Sequence, residues 1–385
     1  MIEFIKKIRI GIYIYLFKHL PIKKNKIFFI SNLGNAYTCN PKYLCEFIAE
    51  NYEGKFDMVW VFDKNVRIKH KIPEGCRKVN YFSIQYLYEI LTSHYIISNV
   101  RIPKHFRFEK RKSQIYIQTW HSSIRLKKIE GDVADQLDYQ YVENAKQDSK
   151  KIDYIISGCG LSSNTFRNSF WYDGKILEIG TPRIDYLLKN NTEVNRMKLL
   201  NKNNLDPKYN YLLYAPTFRK NNDLSAYDLN YELLCNNLAE KFGGKWKVLY
   251  RLHPNLINIS KDIDLPSCCI NASYFDDIQE LLIVSDFLIT DYSSCMFDAM
   301  YLHKKCALYV NDLQDYLLNN RSLYFNISQL PFLIAENQEQ LLDEIENYEE
   351  TEYINNLNEF LSKINSFENG KSCQSIVDLL LNLRS

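Results

Sequence analysis

Short, unbroken apolar runs recur along this chain with helical stretches between them, and this pattern constrains the fold more than any other feature. Residues 26–31 (KIFFIS), 56–62 (FDMVWVF), 95–98 (YIIS), 115–119 (IYIQT), 152–157 (IDYIIS) and 176–179 (ILEI) form a first set. A strand with one solvated face alternates apolar and polar residues, whereas a continuous apolar strand is covered on both faces, as in a parallel sheet flanked by helices. After a polar, Asn- and Lys-rich stretch at 189–208 the pattern restarts with 209–215 (YNYLLYA), 246–250 (WKVLY), 287–290 (FLIT) and 307–310 (ALYV). The expected fold is therefore α/β, with two Rossmann-like domains facing a central cleft and ligands bound beyond the carboxyl ends of the strands. The expected boundaries are a leading segment over 1–25, domains over 26–185 and 186–340, and closing helices over 341–385.

Residues 1–26, MIEFIKKIRIGIYIYLFKHLPIKKNK, carry seven Lys and Arg, from Lys6 to Lys26, against the single acid Glu3. Ile2, Ile5, Ile8, Ile12 and Leu16 recur at helical spacing and Pro21 ends the pattern. A basic amphipathic helix of this kind can lie in an anionic headgroup layer, and 101–112 (RIPKHFRFEKRK) is a second basic run that can continue the surface. The alternative is a first helix packed on its domain with its lysines solvated. No apolar run reaches the roughly 20 residues of a membrane span, and no signal-peptide cleavage pattern follows an apolar core. The expected place is the cytoplasmic side of the membrane, as a peripheral protein. Lys and Arg total 48 against 46 Asp and Glu, a net charge of +2, which gives no signal for nucleic acid. The ten cysteines form no CxxC pair and read as free thiols of a reducing compartment.

The residues suited to chemistry follow strands. In 118–128 (QTWHSSIRLKK), His121 lies just past a strand end, where a neutral imidazole can accept the proton of an attacking hydroxyl. Ser122 and Ser123 can cap a following helix or hold phosphate. In 290–298 (TDYSSCMFD), Ser293 and Ser294 open a helix whose first N–H groups are unpaired, a cradle for a diphosphate, with Asp291 and Asp298 beside them. Arg219 (YAPTFRK), Arg251 and His253 (YRLHPN) follow two further strands and can grip phosphate oxygens. In 180–185 (GTPRID), Arg183 and Asp185 are weaker candidates. No GxGxxG or GxxxxGK loop, no HExxH and no close Cys/His set occurs, so the sequence supplies no basis for a metal or bound cofactor.

Taken in order, WHSSIRLKK, GTPRID, YAPTFR, RLHP and LITDYSSCMFD resemble the motifs of the CDP-glycerol glycerophosphotransferase family, the teichoic acid primases and polymerases. The resemblance covers roughly residues 95–335. It implies a GT-B-like fold, a location at the cytoplasmic face of the bacterial membrane, a CDP-glycerol or CDP-ribitol donor and a polyprenyl-diphosphate-linked acceptor. It implies His121 as the base and Arg219, His253, Ser293 and Ser294 at the donor phosphates, with Asp291 and Asp298 in support. The family's first motif usually reads WHGTPLKK, and Ser122 to Arg125 depart from it by losing the Gly and Pro and adding a residue. Competing readings are a GT-B glycosyltransferase using a nucleotide sugar and a polymer-assembly scaffold without turnover. Failure to bind any CDP-linked compound would favour the scaffold.

Overall fold

The protein is described from a computed structural model, covering residues 2–66, 72–106, 108–217, 219, 228–252, 256, 264–275, 277–319 and 322–384, with side chains from residue 9 onward. The chain divides into two compact units. Unit 1 is Met1–Ser123, Ile129–Asp185 and Phe367–Ser385; unit 2 is Ile124–Lys128 and Tyr186–Ser366.

Unit 1 contains β1 (Lys23–Ile30), β2 (Asp57–Phe62), β3 (Cys76–Asn80), β4 (Ser93–Ser98), β5 (Ile115–Gln118), β6 (Tyr154–Ser157) and β7 (Lys175–Glu178). They pair in the order β3-β2-β1-β4-β5-β6-β7, every pairing parallel. Phe28, Ile30, Val59 and Val61 enter one core, while Ile27, Phe29, Met58 and Trp60 enter another on the opposite face. Two covered faces explain the continuous apolar strands, because successive side chains point to opposite sides.

Unit 2 repeats the plan with β8 (Asn210–Tyr214), β9 (Trp246–Tyr250), β10 (Cys269–Asn271), β11 (Phe287–Thr290), β12 (Lys305–Tyr309) and β13 (Leu333–Ala335). The order is β10-β9-β8-β11-β12-β13, again parallel. In each sheet the chain first builds outward on one side of its first strand and then crosses to the other. The reversal falls between β1 and β4 in unit 1 and between β8 and β11 in unit 2. The crevice beyond the carboxyl ends at such a reversal is where open parallel sheets bind ligands.

The strands absent from the sequence reading are β3 (CRKVN), β10 (CIN) and β13 (LIA). All three are edge strands. They are short, and an edge strand needs less apolar cover, so their signal is weak. The polar stretch at 189–208 is largely helical, through Pro182–Asn190 and Glu193–Lys202, with Leu199 and Leu200 buried. Of the closing helices, Gln338–Glu346 and Glu350–Lys363 belong to unit 2 and Ser372–Arg384 to unit 1. The last packs Cys373, Ile376, Val377 and Leu380 into the core that holds Ile27 and Trp60.

Residues Ile2–Lys18 form one helix. Ile10, Tyr13, Ile14 and Phe17 pack on unit 1, Phe17 edge-on to Tyr88 at 5.6 Å, while Ile12, Tyr15 and Leu16 stay 53%, 66% and 52% exposed. Two cations of the expected basic surface lie elsewhere. Lys26 is fully buried, its Nζ 2.6 Å from Glu89 and 2.8 Å from Thr92. Arg101 is buried against Glu130, Asp148 and Ser149. A buried charge without a counter-ion is too costly to retain, so each cation is paired. No helix of the described residues is long and apolar enough to cross a membrane, and all ten cysteines are free thiols.

Candidate active site

His121 follows β5 at the carboxyl edge of the unit 1 sheet, beside the reversal between β1 and β4. Asn32 and Asn99 leave those two strands and interlock there: Asn32 N–H donates to Asn99 Oδ1 at 2.9 Å and Asn99 Nδ2 to Asn32 Oδ1 at 3.3 Å. The Asn99 carbonyl lies 3.0 Å from His121 Nδ1. A carbonyl only accepts, so Nδ1 carries the proton and Nε2 is left as the basic nitrogen. The imidazole also stacks on Trp120, ring centroids 4.3 Å apart.

The turn carrying this ring is held by its backbone. Asn40 Nδ2 donates to the carbonyls of Thr119 at 3.0 Å and Trp120 at 2.9 Å, and the Trp120 N–H donates to Gln118 Oε1 at 2.9 Å. Arg183 Nη1 donates to the His121 carbonyl, while the Arg183 N–H donates to Asn40 Oδ1 at 3.0 Å. Trp120 has φ 50° and Cys39 φ 64°, left-handed conformations that cost a non-glycine residue strain and persist only where the surroundings enforce them. Thus Arg183 from GTPRID belongs to the histidine's support. Asn40 and Asn99 went unread in the sequence, although Asn99 directly follows the apolar strand YIIS. Ser122 and Ser123 cap no helix: both are buried, and the Ser123 carbonyl accepts from Ser162 Oγ at 2.5 Å.

In unit 2 the motifs meet at the carboxyl edge around the β8/β11 reversal. The Ala215 N–H donates to the Ile289 carbonyl at 3.0 Å and the Arg251 N–H to the Tyr214 carbonyl at 2.9 Å, which sets the ends of β8, β9 and β11 side by side. Asp291, fully buried, accepts from the Thr217 N–H at 2.8 Å and the Tyr292 N–H at 2.6 Å. Arg219 bridges the reversal: Nη1 is 2.8 Å from Asp291, and Nε donates to Asp312 at 2.6 Å. Its Nη1 also reaches the Thr217 carbonyl at 2.9 Å, and its Nη2 reaches Asp312 at 3.1 Å. Burial weakens the charged guanidinium, but Asp291 and Asp312 more than offset it and hold the Arg219 pKa above its ordinary value.

Arg219 is 6% exposed and its fork is occupied by carboxylates, so it braces the turn rather than presenting itself to solvent. Asp298 is buried and accepts from Gln279 Nε2 at 3.0 Å. Ser293 and Ser294 are half-buried and precede the short helix Cys295–Met300. Arg251 Nη1 donates to the carbonyls of Ala272 at 3.2 Å and Phe275 at 2.5 Å. His253 lies outside the described residues. Asp312 and Thr217 were not read as part of this site, because Asp312 meets Arg219, and Thr217 meets Asp291, only across a long separation in sequence.

Two parallel α/β sheets, each with polar motif residues gathered at its carboxyl-edge reversal, define a two-sheet enzyme similar to GT-B-like transferases. Residues 12–382 match the CDP-glycerol:poly(glycerophosphate) glycerophosphotransferase family, and the chain belongs to it. It is 29% identical to the teichoic acid poly(glycerol phosphate) polymerase of Bacillus spizizenii, over 94% of this chain and 93% of that protein. It is 31% identical to the teichoic acid glycerol-phosphate transferase of Staphylococcus aureus, covering 94% of each. The chain spans about half the length of other curated relatives. A solved structure of the wall teichoic acid polymerase TagF superposes with a TM-score of 0.85 at 28% identity, covering 100% of this chain and 96% of that one. The protein is thus an enzyme of the teichoic acid transferase class.

Proposed function

We propose that this enzyme transfers glycerol phosphate, or ribitol phosphate, from a CDP-alditol to a hydroxyl of a polyprenyl-diphosphate-linked teichoic acid or capsular polymer, releasing CMP. The observation that carries the reading is the single basic nitrogen left on His121 by the Asn99 carbonyl, in a chain that belongs to this family almost end to end. Relatives named for ribitol phosphate support keeping both donors.

In this reading unit 1 serves the acceptor and unit 2 the donor. His121 Nε2 takes the proton of the acceptor hydroxyl as its oxygen attacks the phosphorus nearer the alditol. The bond from that phosphorus to the bridging oxygen breaks, and CMP leaves with the electron pair. Ser293 and Ser294, with Arg251 and His253, receive the donor phosphates. Arg219, Asp291 and Asp298 act through the buried contacts that set the serine turn, and the helix Ile2–Lys18 meets an anionic membrane surface through its exposed apolar face.

The test is acceptor-dependent CMP release from CDP-glycerol, CDP-ribitol and representative nucleotide sugars. Release from one CDP-alditol supports the reading and names the donor; release only from a nucleotide sugar moves the protein to the glycosyltransferases. Replacing Ser293 and Ser294 together with Ala should raise the donor KM roughly tenfold or more, the value of a hydrogen bond to a charged group. An unchanged donor KM would remove the serines from the site. Deleting residues 1–20 should release the protein from vesicles containing anionic lipid while its circular dichroism is largely retained. Undiminished vesicle binding would assign attachment to another surface.

A further inference from the structure

One carboxyl bonded within unit 1 belongs to no motif and comes from the far end of the chain. Glu368 sits where the backbone returns to unit 1, and the Phe367 N–H donates to the Gly158 carbonyl at 2.8 Å. Glu368 Oε2 accepts from the Thr181 N–H at 2.8 Å and Oε1 from the Thr181 hydroxyl at 2.8 Å. The Ser123 hydroxyl is a further hydrogen-bond partner. Ser123 is two residues from His121, and Thr181 opens the helix that carries Arg183.

The space around this carboxyl is kept free by two glycines. A Cβ at Gly158 would collide with Ser123 Oγ and Glu368 Oε1, and one at Gly180 would come within 2.7 Å of Glu368 Oε2. Gly180 also has φ 82°, which other residues rarely adopt. The segment is tied before Glu368 by the Phe367 N–H and after it by Ser372 Oγ, which donates to the Gly180 carbonyl at 3.0 Å, and the Cys373 N–H, which donates to Asp185 at 2.6 Å. Burial pushes the Glu368 carboxyl up to about 8 and Asp185 adds to the rise, while Ser123 and Thr181 draw it down.

We propose that Glu368 is a positioning residue for His121, its carboxyl clamping the Ser123 end of the histidine turn to Thr181. The turn is then pinned at three places: by Asn99 at the ring, by Arg183 and Asn40 at the backbone, and by Glu368 at its exit. The reading matters for turnover only if His121 is the base, so it rests on the proposed function. The clamp itself is read without turnover.

The experiment follows the imidazole nitrogens of His121 by NMR in the full-length protein labelled with 15N-histidine. The resonances are assigned by their loss in His121→Asn. Glu368→Ala and Ser123→Ala should shift these resonances toward a mixed tautomer, and Glu368→Gln, which keeps the shape and an acceptor, should leave them near the wild-type positions. In the same proteins, Glu368→Ala should lower kcat for CMP release about tenfold or more with the donor KM within about twofold, a loss that a misplaced base produces and a weakened donor site does not. Unchanged His121 resonances in both alanine variants overturn the clamp, whatever the activity. Shifted resonances in an enzyme whose turnover does not depend on His121 uphold the clamp and overturn the base.

Discussion

His121→Asn is expected to lower CMP release by a factor of about 10²–10⁴, the usual contribution of a positioned general base. Asparagine can still occupy the ring's volume and donate to the Asn99 carbonyl, which lies 3.0 Å from Nδ1 in the wild type. What it lacks is a nitrogen able to accept the proton. Donor binding, measured by calorimetry with CDP-glycerol or CDP-ribitol, should change little, because the proposed phosphate ligands lie in unit 2. The loss should therefore appear in kcat. Turnover at the wild-type rate would exclude His121 as the base, and loss of donor binding with equal loss of kcat would place the histidine at the donor instead.

The second large effect is expected from Arg219. Its guanidinium is almost wholly buried between Asp291 and Asp312, at 2.8 and 2.6 Å. Arg219→Met leaves a fully buried Asp291 carboxylate without its cation, and removing one partner of a buried pair costs about 3–5 kcal/mol. For a unit of this size that corresponds to a fall in melting temperature of roughly 6–20 °C. Asp291→Asn in the same background removes the orphaned charge, so the double variant should recover part of the loss. A melting temperature within about 2 °C of wild type would show that the carboxylates are not relying on Arg219. A normal melting temperature with a strongly raised donor KM would instead give Arg219 a direct hold on phosphate.

Much of the architecture was legible because its signals are local. A central parallel strand must be apolar on both faces, so 27–30 and 287–290 announced themselves, whereas the edge strands β3, β10 and β13 did not. The polar helix Glu193–Lys202 read as a connection because it buries little beyond Leu199 and Leu200. Lys26 read as part of a basic surface, yet it points into unit 1 toward Glu89, some sixty residues away, and nothing near it in sequence announces that partner.

The same division runs through the candidate site. The sequence by itself determined which residues stand at strand ends: His121 after β5, Arg219 after β8, Arg251 after β9 and Ser293 after β11. Strand-end position follows from hydrophobic run length, and motif order placed the chain among its relatives. Only the tertiary structure decided what those side chains touch. The Asn99 carbonyl selects the histidine's basic nitrogen, Arg219 spends its charge on Asp291 and Asp312, and Glu368 reaches Ser123 from the last segment of the chain. Each of these partnerships joins residues that sheet order and chain return bring together. Hydrogen bonds and ion pairs act over a few ångströms in space, and that distance is not encoded in separation along the chain.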